Sequence, residues 1–155
     1  MKSIVFSISD TRTNENDESG DLLKKLLEDE GISVLDKIII KDDKKSIVEE
    51  FKKAISQKVD LIITTGGTGF SRRDVTPEAT LEVIERRATG LEILLINHSL
   101  TKTKNAALSR LVCGLKDDTL IINLPGSKNA VMENMEVLAP LLPHAFRMME
   151  GKKHE

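Results

Sequence analysis

The run Thr64-Thr65-Gly66-Gly67-Thr68-Gly69, with Arg72, Arg73 and Asp74 close behind it, holds the residue types that phosphate chemistry needs. Glycines let backbone N–H groups approach an anion without interference from a Cβ. The arginines offer contacts to anionic oxygens, and Asp74 is a candidate ligand for a divalent cation. Taken alone, three glycines in four positions are also consistent with a structural turn. Asp74 can likewise act only as an acid near a helix N-terminus. Thr76, just ahead of Pro77, already supplies a capping candidate for that helix and leaves Asp74 spare. The run matches neither common phosphate fingerprint. Gly69 is followed by Phe70 rather than Lys, and the glycine spacing fails the Gly-x-Gly-x-x-Gly pattern.

A second candidate carboxylate, Asp43, follows the run Val34 to Ile40; its plainer reading is a cap for the helix that contains Ile47. Asp43 and Asp74 both fall at the carboxyl ends of predicted strands, hence on one edge of a parallel sheet. Two carboxylates there could hold Mg²⁺, which takes one or two carboxylates plus substrate phosphates. The neighbouring Asp42 leaves open which residue of the pair does so. Pro125-Gly126-Ser127-Lys128 repeats the theme at another strand exit, with a helix N-terminus behind it that suits an anion. Ser127 serves equally well as that helix's cap. His98 and His144 are isolated, without metal-ligand spacing, and read as packing or surface residues. No serine has the context of a nucleophile elbow.

The elements that must position these residues follow from periodicity. Ile4 to Ile8, Val34 to Ile40, Val59 to Thr64 and Thr119 to Asn123 read as strands. Leu22, Leu23, Leu26 and Leu27 mark one helix face, and Ile47, Val48, Phe51, Ala54 and Ile55 mark another. Pro77 opens a third helix, and Val131, Met135, Leu138 and Leu142 trace a later one. Ala106 to Val112 is expected to be helical, and Leu91 to Ile96 fits helix or strand. Thr11 to Gly20 is polar with almost nothing to bury, so it reads as a mobile or ligand-binding loop. Strands alternating with helices imply right-handed crossovers and a parallel sheet covered on both faces.

Composition narrows the class. A chain of 155 residues fits one domain, residues 1–155, with a real core. A net charge of −2 implies no polyelectrolyte partner, and the absence of Trp and Tyr counts against a single-strand binder built on stacking. The lone Cys113, in the context Leu111-Val112-Cys113, is expected to be a buried thiol in a reducing cytoplasm. The first ten residues turn polar too soon for a signal peptide, and no apolar run is long enough to cross a bilayer. A soluble, cytoplasmic protein without nucleic-acid or membrane partners is expected.

The glycine run with Arg73-Asp74-Val75-Thr76-Pro77-Glu78-Ala79 resembles the MoaB/Mog family of molybdenum cofactor biosynthesis. So do Ser7-Ile8-Ser9-Asp10, Asp17-Glu18-Ser19-Gly20, Leu108-Ser109-Arg110 and Asn123-Leu124-Pro125-Gly126-Ser127, in the same order nearly end to end. Leu142-Pro143-His144-Ala145 draws the likeness towards the Mog branch, the molybdopterin adenylyltransferases. The resemblance implies the molybdopterin-binding fold, a three-layer α/β sandwich with a mostly parallel sheet, assembled as a homotrimer. It implies ATP as co-substrate and molybdopterin as acceptor, with Mg²⁺, giving adenylyl-molybdopterin and pyrophosphate. A separate molybdate-inserting protein would take the product. By the same resemblance, Asp43 and Asp74 are catalytic and metal-binding. The nucleotide side maps to Gly66, Gly67, Thr68 and Gly69, and Arg72 and Arg73 stand ready for released charge. The pterin side maps to Ser109, Asn123, Pro125, Gly126 and Ser127. Gly90-Leu91-Glu92-Ile93 departs from the family's Gly-Phe-Gly-Glu. That departure keeps a second reading open, a pterin-binding carrier or scaffold without catalysis; another nucleotide-binding enzyme on the same fold is a third.

Overall fold

In the computed structural model, which describes residues 1–151, a six-stranded sheet lies between two layers of helices. Strands β1 (Lys2–Ile8), β2 (Ser33–Ile40), β3 (Leu61–Thr65) and β6 (Thr119–Leu124) run parallel in the order β2-β1-β3-β6. Beyond β6 the sheet turns antiparallel, through β5 (Cys113–Lys116) and the two-residue β4 (Arg86–Arg87). The sheet is therefore mostly, not wholly, parallel.

Side-chain alternation in β1 explains the layering. Ile4, Phe6 and Ile8 face one core, while Val5 faces the other. The first core is closed by α2 (Lys44–Ser56) and α3 (Thr76–Val83), through Ile47, Phe51 and Ala79. The second packs under α1 (Glu18–Asp29), α4 (Thr89–Leu100), α5 (Lys128–Leu138) and α6 (Leu142–Met149), through Leu23, Leu95, Val131 and Phe146. The inner parallel strands β1, β3 and β6 are buried on both faces, as the continuous apolar runs Ile62-Ile63 and Leu120-Ile121-Ile122 require, whereas the edge strand β2 is largely exposed or half-buried.

Two expectations change, and one open alternative is decided. Residues 106–112 are not an α-helix: a 3₁₀ turn spans Lys104–Leu108 and the chain then runs extended into β5. The reason is non-local, because Arg110 N–H donates to the Thr68 carbonyl (2.8 Å) and Val112 N–H to Asn123 Oδ1 (3.2 Å). The polar stretch from Thr11 to Gly20 ends in helix, and Asp17 within it is fully buried. Leu91 to Ile96 falls inside α4. There Glu92 accepts from Arg87 Nε (2.9 Å) and Cys113 N–H (3.1 Å), so it ties the sheet's outer strands to the helix.

Cys113 is buried, and burial followed by the nearby Glu92 charge pushes its thiol up to about 12. Among the described residues no helix is long and apolar enough to cross a membrane. The charged end Lys152 to Glu155 lies outside those residues.

Candidate phosphate and pterin site

The carboxyl ends of β1, β3 and β6 meet at one edge of the sheet, where ligands bind in open α/β folds. A cavity of about 450 Å³ opens there. Gly67, Thr68, Gly69 and Asp74 line one side of it, Pro125, Gly126 and Ser127 a second, and Ser99, Thr103 and Ser109 from α4 and the segment after it a third. The nucleotide and pterin segments expected from the sequence thus border a single space.

The glycine loop needs its glycines. Gly66 and Gly67 have φ of 101° and 69°, the left-handed region. A Cβ on Gly66 would strike the Ile8 carbonyl, and one on Gly69 would lie 2.9 Å from Asp74 Oδ2.

The loop's hydrogen bonding is one-sided. Its carbonyls all have donors: Thr76 Oγ1 to Gly66 O (3.0 Å), Thr76 N–H to Gly67 O (3.1 Å), Arg110 N–H to Thr68 O (2.8 Å) and Arg110 Nε to Gly69 O (2.7 Å). The N–H groups of Gly67, Thr68, Gly69 and Phe70 have no acceptor among the described residues. Every peptide here is trans, so each N–H points opposite to the carbonyl already held. Four consecutive donors are left for an anion. Thr76 therefore does not cap α3; its hydroxyl braces the loop instead.

The second turn is built the same way. Thr65 Oγ1 donates to Pro125 O (2.9 Å), while Ser19 Oγ (2.8 Å) and Arg12 Nη2 both donate to Gly126 O. Ser127 Oγ caps α5 by accepting from Ala130 N–H (3.1 Å), which supports the capping reading, and Ser127 also lines the cavity. Ser109 Oγ is buried without a partner at the cavity wall. An orphaned hydroxyl at such a place suits a ligand's polar group.

The carboxylates divide. Asp43 is exposed and caps α2, accepting from Ser46 N–H (2.9 Å) and Ser46 Oγ (2.6 Å), bonds that hold its carboxyl below the usual range. Asp42 is the residue turned towards the loop: its Oδ1 lies 3.2 Å from where a Gly67 Cβ would be. Burial, then the negative charges of Asp10 and Asp74, raise its pKa, against the hydrogen bond from Asp10 N–H (3.0 Å). Asp74 accepts from Ser71 N–H (3.0 Å) and lines the cavity. The geometry thus sets Asp42, rather than Asp43, beside Asp74. Among the described residues no group of three or more His, Cys, Asp or Glu is gathered as a metal site. Two carboxylates that need phosphate oxygens to complete a shell fit Mg²⁺.

Three more assigned residues stand apart from the cavity. Asn123 is wholly buried and braces the sheet, donating to Thr64 and Thr80 hydroxyls (3.3 and 2.9 Å). Arg73 is paired with Asp10 (Nε–Oδ2 3.0 Å, Nη2–Oδ1 3.0 Å), and Arg72 is exposed. The sequence reading missed Asp17 and Arg110, both within quoted motifs but given no role.

A model of a probable molybdopterin binding domain matches residues 4–144. The chain is 41% identical over 157 residues to the molybdenum cofactor synthesis protein cinnamon of Drosophila melanogaster, covering 96% of this chain but 26% of that protein. It is 38% identical to molybdenum cofactor biosynthesis protein B of Staphylococcus carnosus, covering 90% and 85%. The chain thus spans about a quarter of the first relative and most of the second. The crystal structure of the molybdopterin biosynthesis enzyme MoaB from Thermus thermophilus superposes with a TM-score of 0.88 at 35% identity, over 99% of both chains.

Proposed function

The chain belongs to the molybdopterin-binding domain family, among the MoaB/Mog-type proteins of molybdenum cofactor biosynthesis, and from that premise we propose that it is a molybdopterin adenylyltransferase. The observation that carries this reading is the glycine loop, whose four N–H groups lack acceptors while its carbonyls are all held. Such a loop binds an anion without needing to reorganise.

In this reading the loop amides hold the ATP phosphates, and the Pro125–Ser127 turn with Ser109 receives the pterin. An oxygen of the molybdopterin terminal phosphate attacks the α-phosphorus of ATP. The bond to the β-phosphate oxygen breaks, and pyrophosphate leaves. No side-chain nucleophile is required, so positioning and electrostatics supply the catalysis. Asp42 and Asp74 would hold Mg²⁺, which when bound would neutralise charge on the phosphates. Arg72 lies near enough in sequence to the loop to meet released charge. Homotrimeric assembly and hand-over to a molybdate-inserting protein belong to the same proposal.

The test is pyrophosphate release by the purified protein with ATP and Mg²⁺, with and without molybdopterin. Release that requires the pterin is expected. Pterin binding without release would refute adenylylation and leave the carrier or scaffold reading. ATP binding and turnover indifferent to pterin would indicate a different nucleotide enzyme.

A further inference from the structure

Arg110 is bonded to more of the glycine loop than any residue assigned to the site. Its N–H takes Thr68 O (2.8 Å), its Nε takes Gly69 O (2.7 Å) and its Nη2 takes Asp74 O (2.8 Å). The remaining nitrogen, Nη1, is held by Glu78 at 2.5 and 3.1 Å, so α3 fixes the guanidinium from behind. The contacts of its three guanidinium nitrogens use the fork geometry that is particular to arginine. Ser109, the preceding residue, lines the cavity with an unpartnered hydroxyl. One short segment therefore touches the pterin side through Ser109 and shapes the phosphate side through Arg110.

We propose that the Arg110 side chain is a positioning group: its Nε turns the Gly69 carbonyl towards itself so that the Phe70 N–H faces an incoming phosphate, while the backbone N–H of the same residue does this for the Thr68 carbonyl. Without the side chain the Gly69–Phe70 peptide has no internal donor to fix its orientation, and a flipped peptide would offer a carbonyl to the anion in place of an amide. The consequence for adenylyl transfer rests on the function proposed above; the effect on the loop does not.

The experiment compares Arg110→Met, Arg110→Lys and Glu78→Gln with the parent, all checked for folding by thermal unfolding. The first readout is ¹⁵N relaxation of the Gly67 to Phe70 amides in the free protein. In Arg110→Met the Phe70 order parameter is expected to fall from about 0.85 to below about 0.6, with smaller changes at Gly67 to Gly69, Arg110→Lys intermediate and Glu78→Gln near the parent. The second readout is calorimetric binding of inorganic pyrophosphate with Mg²⁺, expected to weaken at least about tenfold in Arg110→Met, a factor worth about 1.4 kcal/mol.

Order parameters unchanged in Arg110→Met would overturn the proposal, whatever the ligand. Equal loss in Arg110→Met and Glu78→Gln would also overturn it, because Glu78 does not touch the loop carbonyls. If Arg110→Met does not fold, the Lys variant decides, with parent-like loop order overturning the proposal. A parent protein that releases no pyrophosphate from ATP, with the loop effect intact, would refute the function and leave the positioning role standing.

Discussion

Two groups of acidic side chains stand at the same edge of the sheet and are treated in opposite ways. Asp17 is fully buried and surrounded by donors, Ser7 Oγ at 2.5 Å, Lys37 Nζ at 3.0 Å and Gly20 N–H at 3.1 Å, with the Arg12 charge beyond them as an ion pair (Nη1–Oδ1 3.5 Å). Burial pushes its carboxyl up, but these hydrogen bonds and the Lys37 charge together outweigh that and hold it below the usual range. Asp42 is instead held above the usual range, first by burial and then by the negative charges of Asp10 and Asp74, with the Asp10 N–H hydrogen bond and the Arg73 charge acting the other way. The fold has answered the charge of one acid with donors and left the other beside like charges. A carboxylate whose charge is answered internally is part of the scaffold, whereas one kept among like charges is a candidate for the cation that the proposed reaction requires.

The sharpest way to break this contrast is at Asp17. Removing its carboxylate leaves Lys37 without a buried partner and unfastens Arg12 from the Gly126 turn. Asp17→Ala is expected to cost about 3–5 kcal/mol by urea unfolding. A loss below about 1 kcal/mol would show that the network contributes no net stability.

Next in size is Asp42→Asn, expected to lower turnover by about 10²–10³-fold while leaving the thermal midpoint unchanged or higher, because a repelled charge has gone. A parallel Asp74→Asn should fall similarly. Turnover within a few-fold of the parent in both would remove the carboxylates from the chemistry.

Asp43→Ala should do the reverse, lowering the midpoint modestly through loss of a helix cap and keeping turnover within about threefold, since Asp43 is outside the electrostatic cluster. A collapse in turnover would return the catalytic role to Asp43.

The smallest effect is in pH. Asp17 has a depressed folded pKa, so its stabilisation is present above the unfolded value of 3.8 and is lost as pH falls through the folded value. Asp42 has the opposite sign: its contribution is complete below 3.8 and is lost as pH rises through its raised value. Urea titrations from pH 3 upward should therefore show the Asp42→Asn variant gaining on the parent as pH rises. Parallel curves would mean that the fold does not perturb Asp42.

How much of this could be read from the chain follows the range of the interactions. The four parallel strands and the glycine loop were legible, because burial of β1, β3 and β6 on both faces leaves continuous apolar runs, β2 is rich in β-branched residues, and left-handed turns call for glycine. The segment Ala106 to Val112 was not. Its composition suits a helix, but bonds to Thr68 and Asn123, some forty and eleven residues away in sequence, draw it straight. The choice between Asp42 and Asp43 was likewise closed to a reading of residue types, since adjacent residues leaving a strand point to opposite sides. Asp17 looked solvent-exposed for a similar reason: its counter-charge, Lys37, comes from β2. Arg86-Arg87 carries no strand pattern at all and becomes a strand only by pairing with β5.

The protection of Cys113 has a practical side. It is the chain's one thiol, buried at the start of β5 and held as the unreactive neutral form, with its pKa pushed up to about 12. A maleimide or spin label therefore has no native competitor on the folded protein. A cysteine placed at Phe70, which is 69% exposed beside the glycine loop, would be modified alone. Probes of loop motion could then be attached without first redesigning the core.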